Sequence, residues 1–170
     1  LRRQRQMCIR DSPYAIWVAE IMLQQTRVET VVDYYERFVQ QFPTLEALAA
    51  AALDDVLKAW EGLGYYARAR NLHKAAQLIV REMGGHLPPT PEALLVLPGV
   101  GRYTAAAIAS IAFEYDAIAL DGNLLRVLCR LFSVDDDPGR SNTQRHLRIL
   151  ANAMLPAGQA GEFNQALMDL

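Results

Sequence analysis

Leu97-Pro98-Gly99-Val100-Gly101 lies between two stretches of helix-forming residues, with Leu120-Asp121-Gly122-Asn123 following downstream. Glycines at 99 and 101 let the backbone turn sharply and expose N–H groups, and a helix opening at Arg102 aims its positive end at whatever those groups bind. A repeating anion such as a DNA backbone suits that grip. A plain helix–helix turn is the simpler reading, because Gly-x-Gly alone is a weak signal. Either way the motif demands a helix on each side, and the rest of the chain agrees.

Ala and Leu dominate, as in Leu45-Glu46-Ala47-Leu48-Ala49-Ala50-Ala51-Ala52-Leu53, and β-branched alternation is scarce, so the expected fold class is all-α. The 170 residues, 52% of them hydrophobic, suffice for one domain with a real core or two small lobes. No apolar run reaches the roughly 18 residues of a membrane span, and the basic start lacks the apolar segment of a signal peptide. The expected setting is therefore intracellular: cytoplasmic, or nuclear or mitochondrial in a eukaryote. Two cysteines, Cys8 and Cys129, supply neither a disulfide framework nor a four-thiolate cluster. His73, His86 and His146 are too scattered for a zinc site.

A net charge of -2 argues against a protein that coats nucleic acid by bulk attraction. Distribution matters more. Arg68, Arg70, His73, Lys74 and Arg81 share one helical stretch, and Arg102, Arg126 and Arg130 follow the hairpin, a pattern that fits a one-sided basic surface or an ordinary solvated face.

Residues 1–10 have no amphipathic period and read as a tail or foreign junction. Ser12-Pro13 caps and opens a helix expected to run to about Arg27, and a second runs to Phe42. Thr44 caps a short helix, Tyr65 to Met83 is long and amphipathic, and Ser141 is expected to cap another. A last helix from about Glu162 ends abruptly at Leu170, which suggests a fragment of a longer protein.

Asp121, at a helix start, is either a simple N-cap or a carboxylate held in a dry cleft facing developing positive charge, with Asn123 orienting it or a water. Glu20, in Trp17-Val18-Ala19-Glu20-Ile21-Met22-Leu23, either faces solvent or borders the buried stripe, where lost hydration would raise its pKa and suit it to general-acid work. Gln24-Gln25-Thr26 offers neutral amides and a hydroxyl to base edges, or is a polar helix end. Gly62-Leu63-Gly64-Tyr65-Tyr66-Ala67-Arg68-Ala69-Arg70 joins a flexible turn to aromatics and arginines, suited to wedging into DNA, or is a helix cap with core tyrosines.

Taken together, Glu20 to Thr26, Gly62 to Arg70, Leu97 to Gly101, Leu120 to Asn123 and Phe163-Asn164-Gln165-Ala166 resemble, in order, the helix-hairpin-helix DNA glycosylases. Within them they resemble the enzymes that remove adenine mispaired with 8-oxoguanine or guanine. The resemblance runs from about Pro13 to Leu170. It implies a two-lobed fold: a helical barrel over residues 29–117, and a second lobe from 12–28 plus 118–170, with residues 1–11 outside it. The implied partner is double-stranded DNA bearing an A:8-oxoguanine or A:G mismatch, bound by a monomer.

The same resemblance implies roles. Glu20 would protonate the flipped adenine, Asp121 would stabilise the sugar cation, and Tyr103 and Asn123 would shape the pocket. Gln24, Gln25, Thr26, Leu63 and Tyr65 would meet or wedge beside the opposite base, while Arg68, Gly99, Val100, Gly101 and Arg102 would contact the strand. Endonuclease III-like relatives carry an imine-forming lysine where this chain has Tyr103, so a monofunctional hydrolase is implied. A glycosylase for oxidised pyrimidines and a non-catalytic DNA-binding module are the competing readings. Full-length relatives hold a 4Fe-4S cluster on four cysteines, so the parent is expected to carry one, and this stretch to hold no cofactor or metal. The Pro-Trp-Arg type segment that precedes the first catalytic helix in the family is absent from residues 1–10.

Overall fold

A computed structural model describes residues 12–168, and the tail read over residues 1–10 lies outside them. The described residues form ten helices and no strand: α1 (Pro13–Leu23), α2 (Val28–Gln41), α3 (Leu45–Ala50), α4 (Leu53–Ala59), α5 (Ala67–Glu82), α6 (Pro91–Leu94), α7 (Arg102–Phe113), α8 (Gly122–Leu131), α9 (Ser141–Met154) and α10 (Ala160–Met168). None is long and apolar enough to cross a membrane.

Local chemistry explains several starts. Ser12 accepts from Ala15 N ahead of Pro13, Thr44 accepts from Ala47 N, and Thr90 accepts from Ala93 N ahead of Pro91. Where the expected bounds fail, backbone geometry is the reason. Helix α1 stops at Leu23 rather than Arg27 because Gln24 is extended and Gln25 takes φ 56°. Helix α5 starts at Ala67 rather than Tyr65, whose φ is 49°. Helix α9 opens on Ser141 itself, with Arg140 at the cap position and no side-chain cap bond. Helix α10 begins at Ala160, before Glu162.

Two main hydrophobic clusters divide the core. The larger gathers Phe38, Leu48, Trp60, Leu72, Ile79, Leu94 and Ile108 from α2 to α7. Phe38 meets Trp60 edge-on with ring centroids 5.7 Å apart. Burial of each such side chain is worth roughly 1.5–3 kcal/mol. The smaller joins Leu124, Leu125 and Leu128 of α8 to Leu147 and Ala151 of α9, with Phe163 and Leu167 of α10 against them. Helix α1, assigned from sequence to the second lobe, buries Tyr14, Trp17, Val18, Ile21 and Met22 in the larger cluster and packs along α7.

Asn164, fully buried in α10, spans the two halves. It donates to Ser110 Oγ of α7 at 2.9 Å and to Ala117 O at 2.8 Å, and accepts from Ala119 N at 3.0 Å. The chain from α7 to α8 is thereby fixed two residues before Asp121.

Candidate active site and nucleic-acid interface

The hairpin forms between α6 and α7. Val100 N donates to Leu97 O at 3.1 Å to close the turn, and Gly99 adopts φ 78°. A Cβ on Gly99 would lie 2.9 Å from Asn71 Cβ of α5, so backbone conformation and crowding both require glycine there. Gly101 differs: its φ is ordinary and nothing stands within 4 Å of where a Cβ would go. The open space is therefore available to something that approaches the backbone closely. The first turn bond of α7 runs from Ala105 N to Gly101 O at 2.8 Å, which leaves the Gly101 and Arg102 amides at the helix's positive end.

Val100, expected to offer its N–H outward, spends it inside the turn, and its side chain is buried. Arg102 is exposed beside the hairpin. Arg148 of α9 stands near enough to feel it: burial lowers the Arg148 pKa, and the Arg102 charge lowers it further. No sequence signal tied Arg148 to the hairpin.

Next to this turn, Tyr103 lies within electrostatic reach of two carboxyl groups from two other elements. Glu20 projects from the middle of α1, where burial raises its carboxyl to about 7. Asp121 caps α8, its Oδ1 accepting from Leu124 N at 2.7 Å, so the cap reading holds. Tyr103, in the first turn of α7, is pushed well above the usual phenol range by burial first, then by the charges of Glu20 and Asp121. One phenol thus feels both carboxyl groups, which lie about a hundred residues apart in the chain. Asn123 turns elsewhere: its Oδ1 accepts from Arg126 Nη2 at 2.6 Å on the exposed side of α8, rather than orienting Asp121.

The polar end of α1 proves partly structural. Gln24 Nε2 donates to Thr104 Oγ1 at 3.1 Å and to Gly99 O at 3.3 Å, bracing α1 against the hairpin. Thr26 Oγ1 donates to Gln24 O at 3.4 Å, while Gln25 is exposed. Leu63, expected as a wedge, is only 6% exposed and packs in the larger core. Tyr65, beside it, is 61% exposed.

Arg68 requires the largest correction. Expected to hold DNA, it is 8% exposed, and its guanidinium faces inward. Nη1 donates to Met22 O at 2.7 Å, to Ile21 O at 3.3 Å and to Gln24 O, and Nη2 donates to Gly64 O at 3.3 Å. The charge therefore satisfies carbonyls at the C-terminal end of α1, where the helix dipole is negative. Thr104, which receives Gln24, and Asn71, which crowds Gly99, act across the fold, where no local motif marks them.

A hollow of about 530 Å³ lies between Ser110–Glu114 and the start of α10, but none of the candidate residues lines it. Among the described residues no group of three or more His, Cys, Asp or Glu side chains is placed to hold a metal ion, and Cys129 is the one free cysteine. These residues do not fit the four thiolates of an iron–sulfur cluster.

The family described as HhH-GPD superfamily base excision DNA repair protein matches residues 18–152. The chain is 52% identical over 158 residues to adenine DNA glycosylase of Rattus norvegicus, covering 92% of this chain and 31% of that protein. It is 48% identical over 170 residues to the protein of the same name from Homo sapiens, covering 99% and 31% respectively. For that of Buchnera aphidicola subsp. Baizongia pistaciae the identity is 40% over 162 residues, covering 95% and 46%. The chain thus spans less than half the length of these relatives. In structure it is similar to a thermostable thymine-DNA glycosylase, with TM-score 0.85 and 31% identity, covering 95% of this chain and 76% of that one. An endonuclease III in non-covalent complex with DNA shares the fold, with TM-score 0.79 and 24% identity over 92% of this chain and 72% of the other.

Proposed function

The chain belongs to the HhH-GPD superfamily of base excision DNA repair proteins, and from that premise we propose that it hydrolyses the N-glycosidic bond of adenine mispaired with 8-oxoguanine or guanine in duplex DNA. The observation that carries the reading is that one phenol, Tyr103, feels the charge of both Glu20 and Asp121. The two carboxyl groups sit in environments of opposite kind. Glu20 lies in an apolar stretch of α1 and titrates near 7, so at neutral pH a large fraction is protonated and able to donate. Asp121 sits on a helix N-terminus beside an N–H donor.

In this reading the hairpin amides and Arg102 hold a phosphate of the strand, and the target nucleotide swings out of the stack into the cleft. Glu20 delivers its proton to adenine N7. The C1′–N9 bond then breaks, its electron pair leaving with the neutral base. Positive charge develops on the sugar, which Asp121 stabilises electrostatically until water adds at C1′ and loses a proton. Tyr103 stands where the lyase relatives carry an amine, and a phenol forms no imine with the sugar. Base release without strand cleavage follows.

The test incubates the protein carrying this chain with duplexes holding A opposite 8-oxoguanine, A opposite G, or thymine glycol, with and without alkali afterwards. Cleavage at adenine only after alkali supports the reading. Cleavage at thymine glycol, or strand cutting without alkali, overturns it, and duplex binding with no base release assigns a binding module instead.

A further inference from the structure

Two non-glycine residues, one just past α1 and one just before α5, occupy the left-handed backbone region, Gln25 with φ 56° and Tyr65 with φ 49°. Such conformations cost roughly 1–3 kcal/mol each and persist only where their surroundings hold them. Here a single side chain holds both. Arg68 Nη1 donates to the carbonyl of Gln24 and Nη2, at 3.3 Å, to the carbonyl of Gly64. These are the peptide oxygens immediately before the two strained residues.

The same guanidinium lies under the Tyr65 ring, its Cζ 5.4 Å from the centroid, and 5.5 Å from that of Trp60 in the core. Its Nε is buried with no acceptor, so packing as well as hydrogen bonding fixes its plane. The same Nη1 also donates to Met22 O at 2.7 Å and to Ile21 O at 3.3 Å, two and one residues past Glu20. Outward, Gln25 and Tyr65 are both exposed, the one an amide and the other a 61% exposed aromatic. An amide that can bond a base edge is thus locked beside a ring that can stack on it.

We propose that Arg68 is a positioning residue that locks Gln25 and Tyr65 into one rigid probe for the base opposite the excised adenine, and ties that probe to the helix bearing Glu20. The proposal rests on the adenine-release reading and extends it from cutting to selectivity. Arginine is required because its planar fork reaches carbonyls of two separate turns at once. A lysine ammonium has the charge but not the span.

The experiment is a double-mutant cycle on the protein carrying this chain, with Arg68→Lys, Tyr65→Ala and both together. The readout is the single-turnover rate of adenine release opposite 8-oxoguanine divided by that opposite guanine. Arg68→Lys is expected to cut this ratio about tenfold, the worth of one or two hydrogen bonds. Little further loss is expected when Tyr65 is already absent. A purely structural role would slow both duplexes equally, and that outcome, an unchanged ratio, or independent multiplying effects would overturn the proposal. Should Arg68→Lys fail to fold, amide hydrogen exchange on the unmutated protein decides. Gln25, Thr26, Tyr65 and Tyr66 must open with one shared free energy, and separate opening energies reject the lock. Absence of adenine release from both duplexes by the unmutated protein refutes the catalytic reading instead, and leaves the exchange test of Arg68 intact.

Discussion

Replacing Glu20 with glutamine should make the protein more stable and inactive, and the stability gain should depend on pH. Burial raises the folded-state pKa of Glu20 from its ordinary 4.5 to about 7. Below pH 4.5 the carboxyl is protonated in both folded and unfolded chains, and its ionisation costs the fold nothing. Between 4.5 and about 7 the unfolded chain releases its proton while the folded one keeps it, so the folded state binds more protons and stability falls as pH rises. Above about 7 the whole cost is present. At about 1.4 kcal/mol per pH unit the gap comes to about 3 kcal/mol. Glutamine has nearly the same shape and no charge to desolvate. Thermal melts of Glu20→Gln and the unmutated protein should therefore coincide at pH 4 and separate by roughly 6–12 °C at pH 8, given about 2–4 °C per kcal/mol for a chain of this size. Adenine release should fall as pH rises through about 7 in the unmutated protein and be lost at every pH in the variant. A melting difference that does not change between pH 4 and pH 8 would refute the buried-acid argument, and activity surviving in the variant would refute its role in protonation.

Asp121→Ala should cost about 1 kcal/mol through loss of the bond from Leu124 N, whereas Asp121→Asn, which keeps a capping oxygen, should melt within about 0.5 kcal/mol of the parent. Both should abolish base release, and retained activity in Asp121→Asn would remove the charge from the mechanism. The two hairpin glycines should separate stability from binding. Gly99→Ala meets Asn71 at 2.9 Å in a left-handed backbone and should lose about 1–3 kcal/mol of stability, while Gly101→Ala meets nothing in the protein, keeps its melting temperature and weakens duplex affinity about tenfold in a gel-shift titration. Equal affinity of Gly101→Ala and the parent would take the hairpin out of the phosphate grip.

What the sequence revealed correctly was local. Ser12-Pro13 and Thr44 announce helix starts because the capping side chain and the amide it serves lie three residues apart. The hairpin was legible because Gly99 needs a positive φ, and the Asp121 cap because an aspartate at a helix start serves an amide three residues on. Arg68 and Leu63 were misread for one reason. Their neighbours in sequence, an exposed tyrosine and two flexible glycines, suggested a surface, while their neighbours in space lie 47 residues away for Arg68 and in the core for Leu63. Gln24 shows the same limit. Its partners Gly99 and Thr104 stand 75 and 80 residues along the chain, and only tertiary packing turns a polar helix end into a brace.

These long-range bonds explain how a chain with two main hydrophobic clusters can hold a two-carboxyl site at all. Glu20 is fixed by the larger cluster through α1, and Asp121 enters the smaller one as the cap of α8, so neither core alone determines their separation. What does is α7. Its first turn carries Tyr103, which feels the charge of both carboxyl groups, Thr104 receives Gln24 from the end of α1, and Ser110, two turns later, receives Asn164. Asn164 in turn clamps Ala117 and Ala119 ahead of Asp121. Both carboxyl groups are thus referred to one rigid helix, whose N-terminus is also the hairpin that faces open space at Gly101. A phosphate held at that terminus would be held in register with the acid and the sugar-facing carboxylate together, and gripping the strand and placing the reacting nucleotide become one geometric act.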